Sequence, residues 1–334
     1  MNRAGAPEAP PAAPPQRVDV VAVAVYLLVA FGAAWLVTLP LWTSGRGLQT
    51  PGAVFLMAAM MAAPTLGVLV VVGVLRRRPG TAHATGLRSP GGIRSWWRWG
   101  LLAWLGPLVL AAASVALAAA VGVYQPDLEH FSGLAETLRN QGAGALPVSL
   151  GVLAALQLAQ VLVIGWVNVI PALGEEWGWR GWLLPQLLPL GRWPAVLAVG
   201  VVWGLWHAPV LLLGYNYPLH SGPVRVLLMV GMCVVLGSLL GWLRLRSGSV
   251  WPAAIGHGFV NAVAGLPILF STAGVPVDNA TTGLLGWTGW VVMALGLAVA
   301  GLVVGWRADR GRGTNGPGGP GPAPLPAGPA RQAS

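Results

Sequence analysis

Residues 148–180 read VSLGVLAALQLAQVLVIGWVNVIPALGEEWGWR, with no charged side chain before Glu175. About 20 apolar residues carry an α-helix across ~30 Å of hydrocarbon, so 148–173 is long enough to span a membrane. On either side the pattern returns, at 20–42, 52–75, 99–121, 193–213, 224–243, 250–270 and 283–306. The sequence therefore predicts an all-α, polytopic membrane protein of about eight transmembrane helices. Composition agrees. Hydrophobic residues fill 55% of the 334 positions and charged residues 8%, against roughly a quarter charged in a soluble domain. A water-soluble fold is excluded. The first run is too long for a signal-peptide core and lacks a small-x-small cleavage site, so it reads as a helix.

The formal charge of +10 comes from 19 arginines, with no lysine. Such a charge would suit nucleic acid, but almost all the arginines lie between apolar runs or in the tails, where positive charge sets membrane orientation. The lipid bilayer is the expected partner, and no nucleic acid. With the N-terminus inside, loop 76–98 (Arg76, Arg77, Arg78, Arg88, Arg94, Arg98) falls in the cytoplasm, with Arg244, Arg246, Arg307, Arg310 and Arg312. Loop 122–147, with Asp127, Glu129 and Glu136, then falls outside, as does Asp278 in 271–282. Both termini are expected in the cytoplasm of a multi-pass cell-membrane protein. Residues 1–17 are Pro/Ala-rich and 308–334 Gly/Pro-rich, too poor in apolar surface to offset the entropy of ordering. They read as disordered tails on a transmembrane domain of 18–307. Trp96, Trp97, Trp99 and Trp251 fit interfacial anchoring belts. The single cysteine, Cys233, allows neither an intramolecular disulfide nor a cysteine metal cluster and reads as a packing residue. Intramembrane polarity is concentrated in the second half of the chain, unlike a transporter of inverted repeats.

Ionisable groups at membrane depth are costly, so each needs a reason. Among the acids only Glu175 and Glu176 are closely flanked by membrane sequence, and among the histidines only His207 and His257 lie within spans. They come from the end of the fourth span, the fifth and the seventh. Glu176 and Arg180 are four apart and share a helix face, so they can pair. Glu175 is rotated by about 100° and remains free to handle protons. Asn168 and Gln157 lie within about 20° of its direction on an ideal helix, although Pro171 can kink that helix. His257 and Asn261, also four apart, suit two donors aimed at a developing oxyanion. Trp203 stands one turn from His207 and can stack on it or shield it. Pro185, Pro189 and Pro209 read as helix breaks.

Glu175-Glu176-Trp177-Gly178-Trp179-Arg180 matches an EExxxR motif, Trp203 with His207 resembles FxxxH, and His257 with Asn261 matches HxxxN. In this order the motifs, over about 171–262, resemble the CPBP family of intramembrane glutamic endopeptidases. These are CAAX-protease and bacteriocin-processing, ABI-like proteins related to type II CAAX prenyl endopeptidases. Trp203 stands where phenylalanine is usual, so altered packing is expected there. The resemblance implies a membrane peptidase. Glu175 with His207 would activate water, and His257 with Asn261 would stabilise the oxyanion, supported by Glu176, Arg180 and Trp203. It implies no covalent intermediate, no cofactor and no metal. The substrate would be a membrane-associated peptide or protein, prenylated C-termini among the possibilities. Two other readings stay open: a zinc peptidase using Glu175, His207 and His257, and a non-enzymatic scaffold or immunity protein with the same fold. A shared site requires the four side chains to converge in a water-accessible cavity between spans four, five and seven, in the cytoplasmic half of the bilayer.

Overall fold

The computed structural model describes residues 17–75, 81–89, 91–143 and 148–305. The expected tails lie outside this range except for Arg17, as do Arg76, Arg77, Arg78, Arg307, Arg310 and Arg312. Among the described residues every regular element is helical and there is no β-strand.

The main helices are α1 (Val20–Thr43), α2 (Ala53–Met60), α3 (Ala63–Val70), α4 (Trp97–Ala120), α5 (Ser132–Asn140), α6 (Leu150–Glu176), α7 (Arg192–Trp206), α8 (Gly222–Ser247), α9 (Trp251–Val263) and α10 (Trp287–Val304). Among the described residues, seven helical runs are long and apolar enough to cross a membrane. The remaining expected span, 193–213, is the 15-residue α7, continued by Ala208–Leu211. The chain is thus a multi-pass membrane protein, and the count agrees with about eight spans. α7 breaks at His207 because Pro209 has no N–H for the Leu205 carbonyl and its ring crowds that group. The second span is likewise broken, at Met61–Ala62, with Pro64 in the first turn of α3.

The fourth span differs from its reading. Apolar sequence ends at 173, yet the helical run continues from Leu150 to Leu190, 41 residues in all. The charges that end the apolar pattern neutralise one another inside the protein, so the helix has no reason to stop. Pro171 lies within α6 without ending it. From Trp177 to Leu183 the helix widens into a π-helical segment, a form often found at functional sites.

Glycines let the helices approach closely. A Cβ on Gly258 of α9 would lie 2.8 Å from the Val169 nitrogen of α6, and one on Gly200 of α7 would lie 2.7 Å from the Val234 Cα of α8. Gly204 meets Val230 in the same way. Small residues spaced by four are a usual solution for helix contact in lipid, where van der Waals packing takes the place of the hydrophobic effect. The contacts fix α6, α7, α8 and α9 as one block.

The connections gather at two ends. At one, the Val250 N–H donates to Gly86 O (3.0 Å), Trp251 Nε1 to Leu87 O (3.0 Å), and Trp96 stacks on Trp251. This end carries Arg88, Arg94, Arg244 and Arg246. At the other, the Asp127 N–H donates to Phe270 O (2.8 Å), the Thr272 N–H to Gln125 O (3.1 Å), and Asn279 Nδ2 to Asn216 O (2.7 Å). The two loops expected inside therefore lie together, and so do those expected outside.

Candidate active site

Gly174 leads into the two glutamates. Thr65 Oγ1 donates to its carbonyl (2.7 Å), and a Cβ there would stand 2.8 Å from Met61 O. The break in the second span thus docks against the turn that presents Glu175 and Glu176. Both carboxylates and Arg180 are buried. Arg180 Nη1 donates to Glu176 Oε1 at 2.8 Å, the pair expected from their spacing. The same oxygen lies 3.0 Å from His257 Nδ1, a contact the spacing could not show because 81 residues separate the two.

Trp203 ties the remaining groups together. Its indole Nε1 donates to Glu175 Oε2 at 2.6 Å, its ring stands edge-on to His257 at 5.2 Å, and the Arg180 guanidinium lies over it at 4.2 Å. That cation–π contact supplies attraction the buried guanidinium otherwise lacks, since Arg180 Nε and Nη2 meet no hydrogen-bond partner among the described residues. The Trp203 carbonyl lies 2.8 Å from His207 Nδ1. A carbonyl can only accept, so Nδ1 carries a proton, and in the neutral ring Nε2 is then a potential base. Trp203 does lie beside His207, tilted at 5.8 Å, but the closer edge-on ring on His207 is Trp206, at 4.9 Å. Trp206 is held by Nε1 donating to Ala30 O of α1 (3.1 Å). The first spans thus contribute directly to the site, which their sequence does not disclose.

Glu175, His207, His257, Asn168, Asn261 and Trp203 line one cavity of about 320 Å³. Its walls come from the expected spans four, five and seven, and also from the second and the sixth. Facing the polar groups are Met57, Met60, Met61, Met229 and Met232, five of the seven methionines in the chain. Thioether side chains adapt their shape to what they meet. Asn168 Nδ2 also donates weakly to Gly258 O (3.4 Å). Gln157 is not brought in; with Gln160 it lines a separate cavity of about 210 Å³ between α6 and the end of α9. Among the described residues, no three His, Cys, Asp or Glu side chains are grouped to hold a metal ion.

A helical bundle with a buried carboxylate–imidazole cluster open to a cavity defines a polytopic membrane protein with a polar intramembrane centre. Residues 157–263 match the family model described as Rce1-like, Type II CAAX prenyl endopeptidase Rce1-like. All the motif residues fall within that stretch, which is similar to the CAAX-protease family. No curated protein matches the chain.

Proposed function

We propose that the protein is an intramembrane, metal-independent glutamic endopeptidase acting on membrane-associated peptides, with Glu175 as the group that activates water. One observation carries the reading: Glu175, His207, His257 and Asn261 all open onto the same cavity. Trp203 occupies one Glu175 oxygen and leaves the other to accept a proton from water. The neutral His207 ring, with Nε2 as acceptor, can share that proton and return it to the leaving amine. The hydroxide attacks the scissile carbonyl, and His257 Nε2 with the Asn261 amide donates to the oxyanion. For His257 to donate there as well as to Glu176, its ring carries both protons. The two carboxylates, Arg180 and that imidazolium then sum to zero charge, which suits a buried cluster.

The family name supplies prenylated C-termini as one class of substrate. The arginine bias supports a cell-membrane protein with both termini in the cytoplasm, and 18–307 acting as one transmembrane domain. The test is cleavage by Glu175→Gln, His207→Ala and His257→Ala beside the parent protein. Loss in all three with normal membrane insertion is the expected result. A cellular phenotype that survives all three supports the scaffold reading instead.

A further inference from the structure

The chain holds four tyrosines, and two of their hydroxyls are taken by carbonyls. Tyr124 Oη donates to Pro267 O at 2.6 Å and Tyr217 Oη to Leu285 O at 3.0 Å. Tyr26 is fully buried and stacked on Trp182 at 4.7 Å. The fourth tyrosine differs from these. Tyr215 is half-buried and lines the same cavity as Glu175, His207, His257 and Asn261. Its hydroxyl meets no hydrogen-bond partner among the described residues, and the charge of Glu175 acts on it. A phenol has one O–H to donate, so an uncommitted donor stands in the cavity within the field of the glutamate. Every peptide presents carbonyl acceptors on both sides of the bond to be cut, whatever its side chains. A donor placed there suits a peptide of any sequence.

The backbone that carries Tyr215 is held from several sides. It follows the short helix Ala208–Leu211 that begins directly after His207, and the Tyr215 N–H donates back to Val210 O at 3.1 Å. Gly214 and Asn216, its two neighbours, both have positive φ, +101° and +60°. Asparagine visits that left-handed region more readily than most residues, and the Asn216 carbonyl is pinned by Asn279 Nδ2 at 2.7 Å. Arg225 ties the turn together, donating Nε to Tyr217 O and Nη1 to Leu212 O, both at 3.2 Å. A strained turn fixed by this many bonds keeps its side chains in one place, as a preorganised contact requires. We propose that Tyr215 is a substrate-binding residue, whose hydroxyl donates to a backbone carbonyl of the bound peptide beside the scissile bond. The inference rests on the peptidase reading and adds to it a contact outside the EExxxR, FxxxH and HxxxN motifs.

The test uses the full chain in detergent with a library of quenched fluorogenic peptides, and compares the parent protein, Glu175→Gln and Tyr215→Phe at equal amounts. Phenylalanine keeps the ring and loses the O–H. On peptides whose cleavage Glu175→Gln abolishes, Tyr215→Phe is expected to lower kcat/KM by about five- to tenfold, the loss of one neutral hydrogen bond, at an unchanged unfolding temperature. A smaller loss overturns the inference and leaves the peptidase reading standing. Cleavage that Glu175→Gln leaves intact, or no cleavage by the parent protein, overturns both. Where Tyr215→Phe lowers the unfolding temperature, 3,5-difluorotyrosine at position 215 decides, because it keeps the ring and the hydroxyl but gives up the proton at lower pH. The alkaline limb of its pH–rate profile is expected to move to lower pH, and an unmoved limb overturns the inference.

Discussion

At the residue scale, Trp203 decides how the site is held. A phenylalanine could fill the same space and lie under Arg180, but it could not donate to Glu175. Trp203→Phe removes a hydrogen bond to a charged group, worth about 1.5–3 kcal/mol. If the bond orients Glu175 during reaction, kcat falls roughly ten- to a hundredfold with KM little changed, which steady-state kinetics on one peptide will show. Equal kcat in both forms would make the tryptophan a packing residue only. Glu176→Gln has a different signature. It breaks a fully buried pair, at a cost of about 3–5 kcal/mol, and releases His257 from its carboxylate partner. A lowered unfolding temperature in detergent should accompany loss of activity. Chelation separates the glutamic reading from the zinc one: EDTA is expected to leave cleavage intact, and loss restored by added zinc would contradict that. The i,i+4 spacing of Glu176 and Arg180 made their pairing legible in the sequence. The Trp203–Glu175 and His257–Glu176 contacts were not, because local spacing carries no information across 28 and 81 residues.

At the scale of elements, proline and glycine say most. Pro209 marks the break that leaves His207 at the end of α7, and this was readable from the missing N–H. The length of the fourth helix was not readable, because the apolar pattern stops where charges begin, and only tertiary pairing shows that Glu176 and Arg180 are neutralised in place. Nor could periodicity reveal that Gly200 and Gly204 face the α8 backbone. Gly200→Leu forces side-chain atoms into a 2.7 Å gap, and overpacking of this kind costs typically 1–3 kcal/mol. α7 carries both Trp203 and His207, so the variant should lose thermal stability and activity together. The same substitution at Gly32, where a Cβ meets nothing within 4 Å, should change neither. A thermal-shift assay on the two purified variants checks the contrast.

At the scale of the whole molecule, hydropathy and charge placed the spans and sorted the loops correctly into two groups. Contacts within each group now link them, including His220 Nε2 to Asp278 Oδ1 at 2.9 Å and Tyr217 Oη donating to Leu285 O at 3.0 Å. Neither signal could show that the second and sixth spans line the cavity beside the fourth, fifth and seventh. Nor could they show the methionine wall, whose members lie on two separate spans. The central claim is that scarce intramembrane carboxylate and imidazole groups meet in one cavity in order to hydrolyse a peptide bond. Its most direct test is a proteomic comparison of peptides released from membranes containing the wild-type protein or Glu175→Gln at equal abundance. A set of peptides present with the wild type and absent with the variant is the predicted result; identical sets from the two membranes would contradict it.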